Sequence, residues 1–151
     1  MDEELVSIRC MQLPLVGMQL LLPNSAVAEI IGFDRSTLIG SQSGPVLGRI
    51  SWRGVTVPVA SIEELCGESM LEPATRSRIA IVYNPEGGAE MPYMGILMQD
   101  IPKAYLAENL RLSGKGEPVD CEFLSFRIEE MVDDYLVPDL DAIFTAVRPF
   151  S

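Results

Sequence analysis

Carboxylates are the most numerous groups in this chain that could do chemistry, and they fall in clusters: Asp2 to Glu4; Glu63, Glu64 and Glu68; Glu129 and Glu130 with Asp133 and Asp134; and Asp139 with Asp141. Two of them sharing a cleft would suit glycoside hydrolysis, and several on one loop would suit calcium. Neither pattern is specific here. The Asp-x-Asp-x-Asp-Gly ladder of a calcium loop is missing and no Glu closes such a loop at its twelfth position, so a solvated acidic surface is the expectation for these clusters. Gly114-Lys115-Gly116 lacks the third glycine of a dinucleotide loop and no Walker A string occurs, so that segment reads as a turn.

Histidine is absent. Without it there is no Ser-His-Asp or Cys-His nucleophile pair, no imidazole metal ligand and no unperturbed side chain titrating near neutrality. The three cysteines, Cys10, Cys66 and Cys121, are far apart, odd in number and free of any CxxC spacing. They offer neither a zinc site nor a fully paired disulfide framework, and reduced, buried thiols are the expected state of all three. No catalytic group, metal or cofactor is expected.

With 22 acidic against 11 basic residues the net charge is −11, which repels phosphate backbones and anionic lipid headgroups. Nucleic acid is therefore not an expected partner. The longest apolar stretch, Leu13 to Leu22, is interrupted by Pro14, Gly17 and Gln19 and closed by Pro23, so no membrane insertion is expected, and the acidic start of the chain lacks the basic region of an export signal. A cytoplasmic protein is the expectation.

The elements that would position any site read as strands. A chain of 151 residues with 48% hydrophobic content, 12 Gly and 11 Pro fits one domain built mainly from short strands. A strand, turn, strand unit spans Leu5 to Leu22, and Ala26 to Phe33 carries Val27, Ile30 and Ile31 around Glu29. Asp34 to Pro45 is a long loop. The clearest hairpin follows: Leu47, Ile50 and Trp52 climb to Arg53-Gly54, and Val55, Val57 and Val59 descend. Arg53 sits at its tip. Pro58 cannot donate to a ladder, which predicts that this strand is an edge or ends there.

Ser61-Ile62-Glu63-Glu64 has the spacing of a capping box, so a short helix starts near Ser61 and stops at Gly67. Residues 67–77 are the expected connection between two strand-rich halves, 1–66 and 78–151. In the second, Arg78 to Tyr83 and Tyr93 to Met98 flank the turn-forming Asn84-Pro85-Glu86-Gly87-Gly88, and Phe123 to Ile128 and Tyr135 to Val137 form a later hairpin. Val137-Pro138 echoes Val57-Pro58 and predicts Asp141 as the cap of a helix over 142–147. Met11, Met18, Met94 and Met98 read as core filling. Arg53, a cation in an acidic chain, could anchor an acidic partner group through a forked hydrogen bond.

The stretch from Val16 to Gly67 resembles the CheW family of chemotaxis coupling proteins. Val27, Glu29 and Ile30 match the family's Val-x-Glu-Ile segment, and Gly48, Arg53, Gly54, Val57, Pro58 and Val59 match its Gly-x-x-Asn-Leu-Arg-Gly-x-x-Val-Pro-Val block. Residues from Arg78 onward resemble its return strands and final helix more loosely. Trp52, Ser51 and Ser61 stand where the family has Leu, Asn and Asp, and Gln99-Asp100 where it more often has Val-Asp.

The resemblance implies a mainly β fold of two SH3-like barrel halves packed together with short helices, forming a single CheW-like domain over 1–151. It implies a non-enzymatic adaptor joining methyl-accepting chemoreceptor cytoplasmic tips to the regulatory domain of a CheA-type histidine kinase, in flagellar chemotaxis or a pilus-type system. Arg53 is then the coupling arginine, with Trp52 and Gly54 beside it. Val27, Glu29 and Ile30 lie in or near a groove for a receptor helical hairpin or a kinase surface. The alternative from another class is an acidic-surfaced β-barrel binding protein or hydrolase using carboxylates from Glu63 to Glu68 or Glu129 to Asp134, which requires two of them in one concave pocket.

Overall fold

Alternating apolar residues and turn-forming dipeptides give ten strands in the computed structural model, which describes residues 8–40, 44–68, 73–87, 90–107, 121–129 and 134–150. They are β1 (Ile8–Leu15), β2 (Met18–Pro23), β3 (Val27–Gly32), β4 (Val46–Trp52), β5 (Val55–Ala60), β6 (Arg78–Tyr83), β7 (Tyr93–Met98), β8 (Lys103–Ala107), β9 (Leu124–Glu129) and β10 (Asp134–Pro138). Helix α1 (Ile62–Leu65) follows β5, and α2 (Leu140–Val147) follows β10. The acidic residues Asp2 to Glu4, Glu130 and Asp133, and the Gly114-Lys115-Gly116 turn, lie outside the described residues.

The strands form two five-stranded sheets, ordered β8-β1-β2-β10-β9 and β3-β6-β7-β5-β4. These are the first and second barrels. Each takes strands from both 1–66 and 78–151, so the connection at 67–77 does not divide one sheet from the other. The first barrel is completed by the last strand, which lies parallel to β2 with Leu136 beside Leu20.

Strand faces explain the layering. Along β6, Ala80 and Val82 face one way while Ile79 and Ile81 face the other, and all four are buried. A strand covered on both sides is apolar at every position, which is why Arg78 to Tyr83 reads as one continuous run. The larger core lies between the sheets, where Leu13, Leu20 and Leu22 of the first meet Val82, Met94, Ile96 and Met98 of the second, closed by Ile143, Phe144 and Val147 of α2. Met11 and Met18 pack at its margin. The second barrel curls around its own core of Leu47, Ile50, Trp52, Val57, Val59, Ile79, Ile81 and Leu97. The smaller core of the first barrel is built from Cys10, Leu21 and Tyr135. Gly95 of β7 has no room for a side chain, since a Cβ there would meet Ile79 Cγ2 at 2.7 Å.

Pro58 is not on an edge strand. β5 lies between β4 and β7, but its parallel pairing with β7 involves only Val59 and Ala60. The proline thus sits where that flank carries no ladder, and its missing N–H leaves no gap.

Ser61 caps α1, its Oγ accepting the Glu64 amide at 3.2 Å, while its own amide donates to the Pro45 carbonyl at 2.7 Å. The cap of α2 is Asp139 rather than Asp141, with Asp139 Oδ1 accepting the Ala142 amide at 3.2 Å. Asp139 is thus the single residue between β10 and the helix, and Asp141 lies in the first turn.

Two further expectations are corrected. Glu63 does not belong to a solvated cluster; it is 1% exposed. Its Oε2 accepts the Val16 amide at 3.1 Å and its Oε1 the Ser61 hydroxyl at 3.4 Å, tying α1 of one barrel to the β1–β2 turn of the other. Cys66 and Cys121 are not reduced thiols but a disulfide, their Cα atoms 5.3 Å apart across a sequence separation of 55. Spacing in sequence carries no information about that approach. Cys10 does remain a free, buried thiol.

Candidate functional site

The β4–β5 hairpin turns on two residues, and both have positive φ: +47° at Arg53 and +77° at Gly54. That geometry matches the twist of the flanking strands, and the glycine adopts it without strain. Arg53 is the sole non-glycine residue at positive φ among those described. A position where Asn or Gly would be easier is held by a long cation, 68% of whose side chain is exposed.

The guanidinium is not loose. It lies 4.9 Å from the centroid of the Trp52 ring, and its Nη2 is 3.6 Å from Glu29 Oε2. Trp52 itself is 8% exposed and points into the second barrel's core. Its indole Nε1–H donates to the same Glu29 oxygen. Glu29 thus receives the indole from beneath and the arginine from the tip, which orients both.

Glu29 reaches Trp52 because β3 is irregular. The pairing of β3 with β6 shifts register between Val27 and Glu29, a bulge that re-aims the side chains beside it. Ala28 and Ile31 pack on the second barrel's core, whereas Val27 and Ile30 pack on the core between the sheets. The sequence candidates are therefore split: Glu29, Trp52, Arg53 and Gly54 meet at the hairpin tip, while Val27 and Ile30, both half-buried, lie on the other face of β3.

The Glu29–Trp52 bond also closes a seam, since β3 and β4 are the two edges of their sheet. At the far end of the seam the chain after β3 returns to β4 through Ile39, which exchanges two backbone hydrogen bonds with Arg49, at 2.7 and 2.8 Å.

Sequence reasoning missed two aromatics. Tyr93 meets the Trp52 ring edge-on at 4.8 Å, and Tyr83, 46% exposed, lies 5.6 Å from Tyr93. Tyr83 ends β6 and Tyr93 begins β7, and the two pair directly across the ladder. Their placement at the two strand ends that flank residues 84–92 was the signal available in the sequence. A continuous row, Arg53, Trp52, Tyr93, Tyr83, results.

A separate open groove of about 410 Å³ is lined by Gln12, Pro14, Gln19, Arg76, Asp100, Ile101, Pro102 and Lys103. Asp100 is its single carboxylate. The Arg76 guanidinium, 2.8 Å away, and the Ile101 amide hold that carboxyl below its ordinary range, so it is suited to a fixed charge and not to proton transfer. The paired carboxylates that a hydrolase needs are not found in this groove, and Glu63 is occupied in the core. Among the described residues no three His, Cys, Asp or Glu side chains could hold a metal ion together, and no helix is long and apolar enough to cross a membrane.

These features define a β protein of two packed barrels whose most distinctive exposed feature is an anchored arginine at a hairpin tip. The CheW-like domain family model matches residues 9–103, well over half the chain, and the protein belongs to that family. The crystal structure of the scaffolding protein TtCheW from Thermoanaerobacter tengcongensis has the same fold, with a TM-score of 0.74 at 15% identity over 95% of this chain and 92% of that one. No curated relative matches the sequence. The structural likeness carries the fold through β9, β10 and α2, which lie beyond the family match.

Proposed function

We propose that the chain is a non-enzymatic cytoplasmic adaptor, a single domain over 1–151, that couples chemoreceptors to a CheA-type histidine kinase. The observation that carries the reading is the placement of Arg53, a cation kept at positive φ and braced by Trp52 and Glu29 while 68% of its side chain stays exposed. In a chain of net charge −11 this fixed positive point selects an acidic group on a partner, and the planar guanidinium can grip it in two places. Its flank is apolar and aromatic, the composition of a binding hot spot.

Glu29, Trp52, Arg53 and Gly54 form the polar anchor. Val27 and Ile30, on the opposite face of the same edge strand, supply apolar contact for a helical partner. The partners are the kinase regulatory domain and the cytoplasmic tip of a methyl-accepting receptor, in a flagellar or a pilus-type pathway. Nucleic acid and membrane insertion have no part in this role.

The test is titration of the purified chain against CheA-type regulatory domains and receptor cytoplasmic fragments, repeated with Arg53→Glu. Saturable binding to at least one, weakened tenfold or more by the substitution in a folded variant, supports the reading. Binding that is indifferent to Arg53→Glu removes the hairpin tip from the interface, and no binding to any of them removes the adaptor role.

A further inference from the structure

The three cysteines occupy two kinds of surroundings. Cys10 is 3% exposed in the small core of the first barrel, and burial pushes its thiol pKa up. Such a thiol is inert toward exchange. Cys66 and Cys121 are half-buried and already bonded to each other.

Their position is informative. Cys66 is the C-cap of α1, its amide donating to the Ile62 and Glu63 carbonyls, so it is fixed to the second barrel. Cys121 opens the turn into β9 of the first barrel, its carbonyl accepting the Leu124 amide at 3.1 Å. Two residues on, the Phe123 carbonyl accepts the amide of Asp139, the cap of α2. The disulfide therefore joins the two barrels. Three residues before Cys66, the Glu63–Val16 hydrogen bond spans the same pair of barrels without a covalent link.

The bond is also dispensable to the elements it joins. α1 has its Ser61 cap and its Glu63 anchor besides the bond, and Cys66 and Cys121 pack at the margin of the core between the sheets, outside its fully buried centre of Leu13, Leu20, Ile62 and Ile143. A half-buried bond between two elements that are independently held can open and reclose without unfolding the chain.

We infer that Cys66 and Cys121 form a reversible thiol–disulfide switch that fastens the two barrels to each other. In the closing direction the thiolate of one cysteine attacks a small-molecule disulfide such as oxidised glutathione, forming a mixed disulfide and releasing one thiolate. The second cysteine then attacks the protein sulfur of that mixed disulfide, forming the Cys66–Cys121 bond and releasing the other. The pair loses two electrons to the oxidant, and the two cysteine protons end on the two released thiols. A dithiol reductant runs the sequence backward.

The 151-residue chain equilibrated in glutathione buffers from strongly reducing to strongly oxidising, then trapped with a maleimide and mapped by mass spectrometry, tests this directly. Cys66 and Cys121 are expected to lose reactivity together as one two-electron couple, with Cys10 unlabelled at every poise until the protein is denatured. In the reduced form the amides of Val16, Leu124 and Asp139 are expected to exchange hydrogen at least tenfold faster than in the oxidised form, while those of β6 and β7 are unchanged. Cys66→Ser should match the reduced form and lose all dependence on poise. A pair that stays reactive at every poise, a bond that none of these buffers opens, a partner other than Cys121 for Cys66, or exchange that is equal in both forms would each overturn the inference.

Discussion

If the indole of Trp52 and the carboxylate of Glu29 close the seam of the second barrel, removing both should cost less than the sum of removing each. Trp52→Phe deletes the N–H that Glu29 accepts, together with part of a ring that is 8% exposed and touches Tyr93 at 4.8 Å. A hydrogen bond to a charged acceptor is worth about 1.5–3 kcal/mol. Water reaches the Glu29 side chain, 38% of which is exposed, so the lower end applies. Lost packing and the weakened edge-to-face contact add about 1 kcal/mol, giving about 2.5 kcal/mol for Trp52→Phe. Glu29→Gln keeps an acceptor but loses its charge and its exposed pairing with Arg53, about 1 kcal/mol. Part of the Glu29→Gln cost belongs to the Arg53 pairing, so the expected coupling between the two sites is about 0.5–1 kcal/mol. Urea unfolding followed by far-UV circular dichroism measures all four corners of the cycle; fluorescence does not serve, because Trp52 is the only tryptophan. All four proteins are kept oxidised so that the Cys66–Cys121 link is constant, and an unchanged denaturant slope confirms that only stability has moved. Coupling below about 0.3 kcal/mol would refute the seam, because residues that do not interact are additive within that margin.

Three other outcomes follow from the same geometry. Arg53→Asn should leave stability within about 0.5 kcal/mol of the parent, since asparagine tolerates positive φ better and offsets an exposed ion pair and a ring contact worth about 1 kcal/mol together; thermal melting checks this, and a large destabilisation would make the arginine structural instead of a partner anchor. Glu63→Ala, which leaves the Val16 amide without its acceptor inside the structure, should cost about 3 kcal/mol and Glu63→Gln about 1, with faster hydrogen exchange at Val16 in both; a cost below 1 kcal/mol for Glu63→Ala would mean that water replaces the carboxylate freely. Asp100 is held below the usual carboxylate value of 3.8 by Arg76 and the Ile101 amide. Because its folded pKa is the depressed one, its contribution is present above about pH 4 and is lost as the pH falls through the folded value. Asp100→Asn should therefore flatten the acid limb of a melting-temperature profile below about pH 4, and identical profiles would show that the pair with Arg76 carries no folding linkage.

What could be read before folding divides by range. The β4–β5 hairpin, the β6 and β7 strands and the Ser61 cap were legible because each is decided within a few residues, by alternation, by a two-residue turn or by one side chain meeting one amide. The parallel placement of β10 beside β2 was not, since nothing in Leu20 or Leu136 marks the other. For the same reason the disulfide was missed: two cysteines separated by 55 positions carry no local sign of meeting. Pro58 misled because ladder pairing can lapse on one flank of an interior strand, and Glu63 misled because a buried carboxylate differs from a solvated neighbour only by what folds against it.

The candidate site lies on that boundary. Arg53 at the tip is a local fact, fixed by the turn that the sequence announces. What braces it comes from elsewhere in the chain: Glu29 from the opposite edge of a curled sheet, aimed by a bulge, and Tyr83 and Tyr93 from a separate hairpin. A free arginine on a two-residue turn samples many rotamers and loses them on binding, at a cost of roughly 1–2 kcal/mol. An arginine laid on an indole, with a carboxylate beneath, has given up much of that freedom in folding. The long-range half of the site, invisible to periodicity, is therefore the half that sets how strongly the local half can bind.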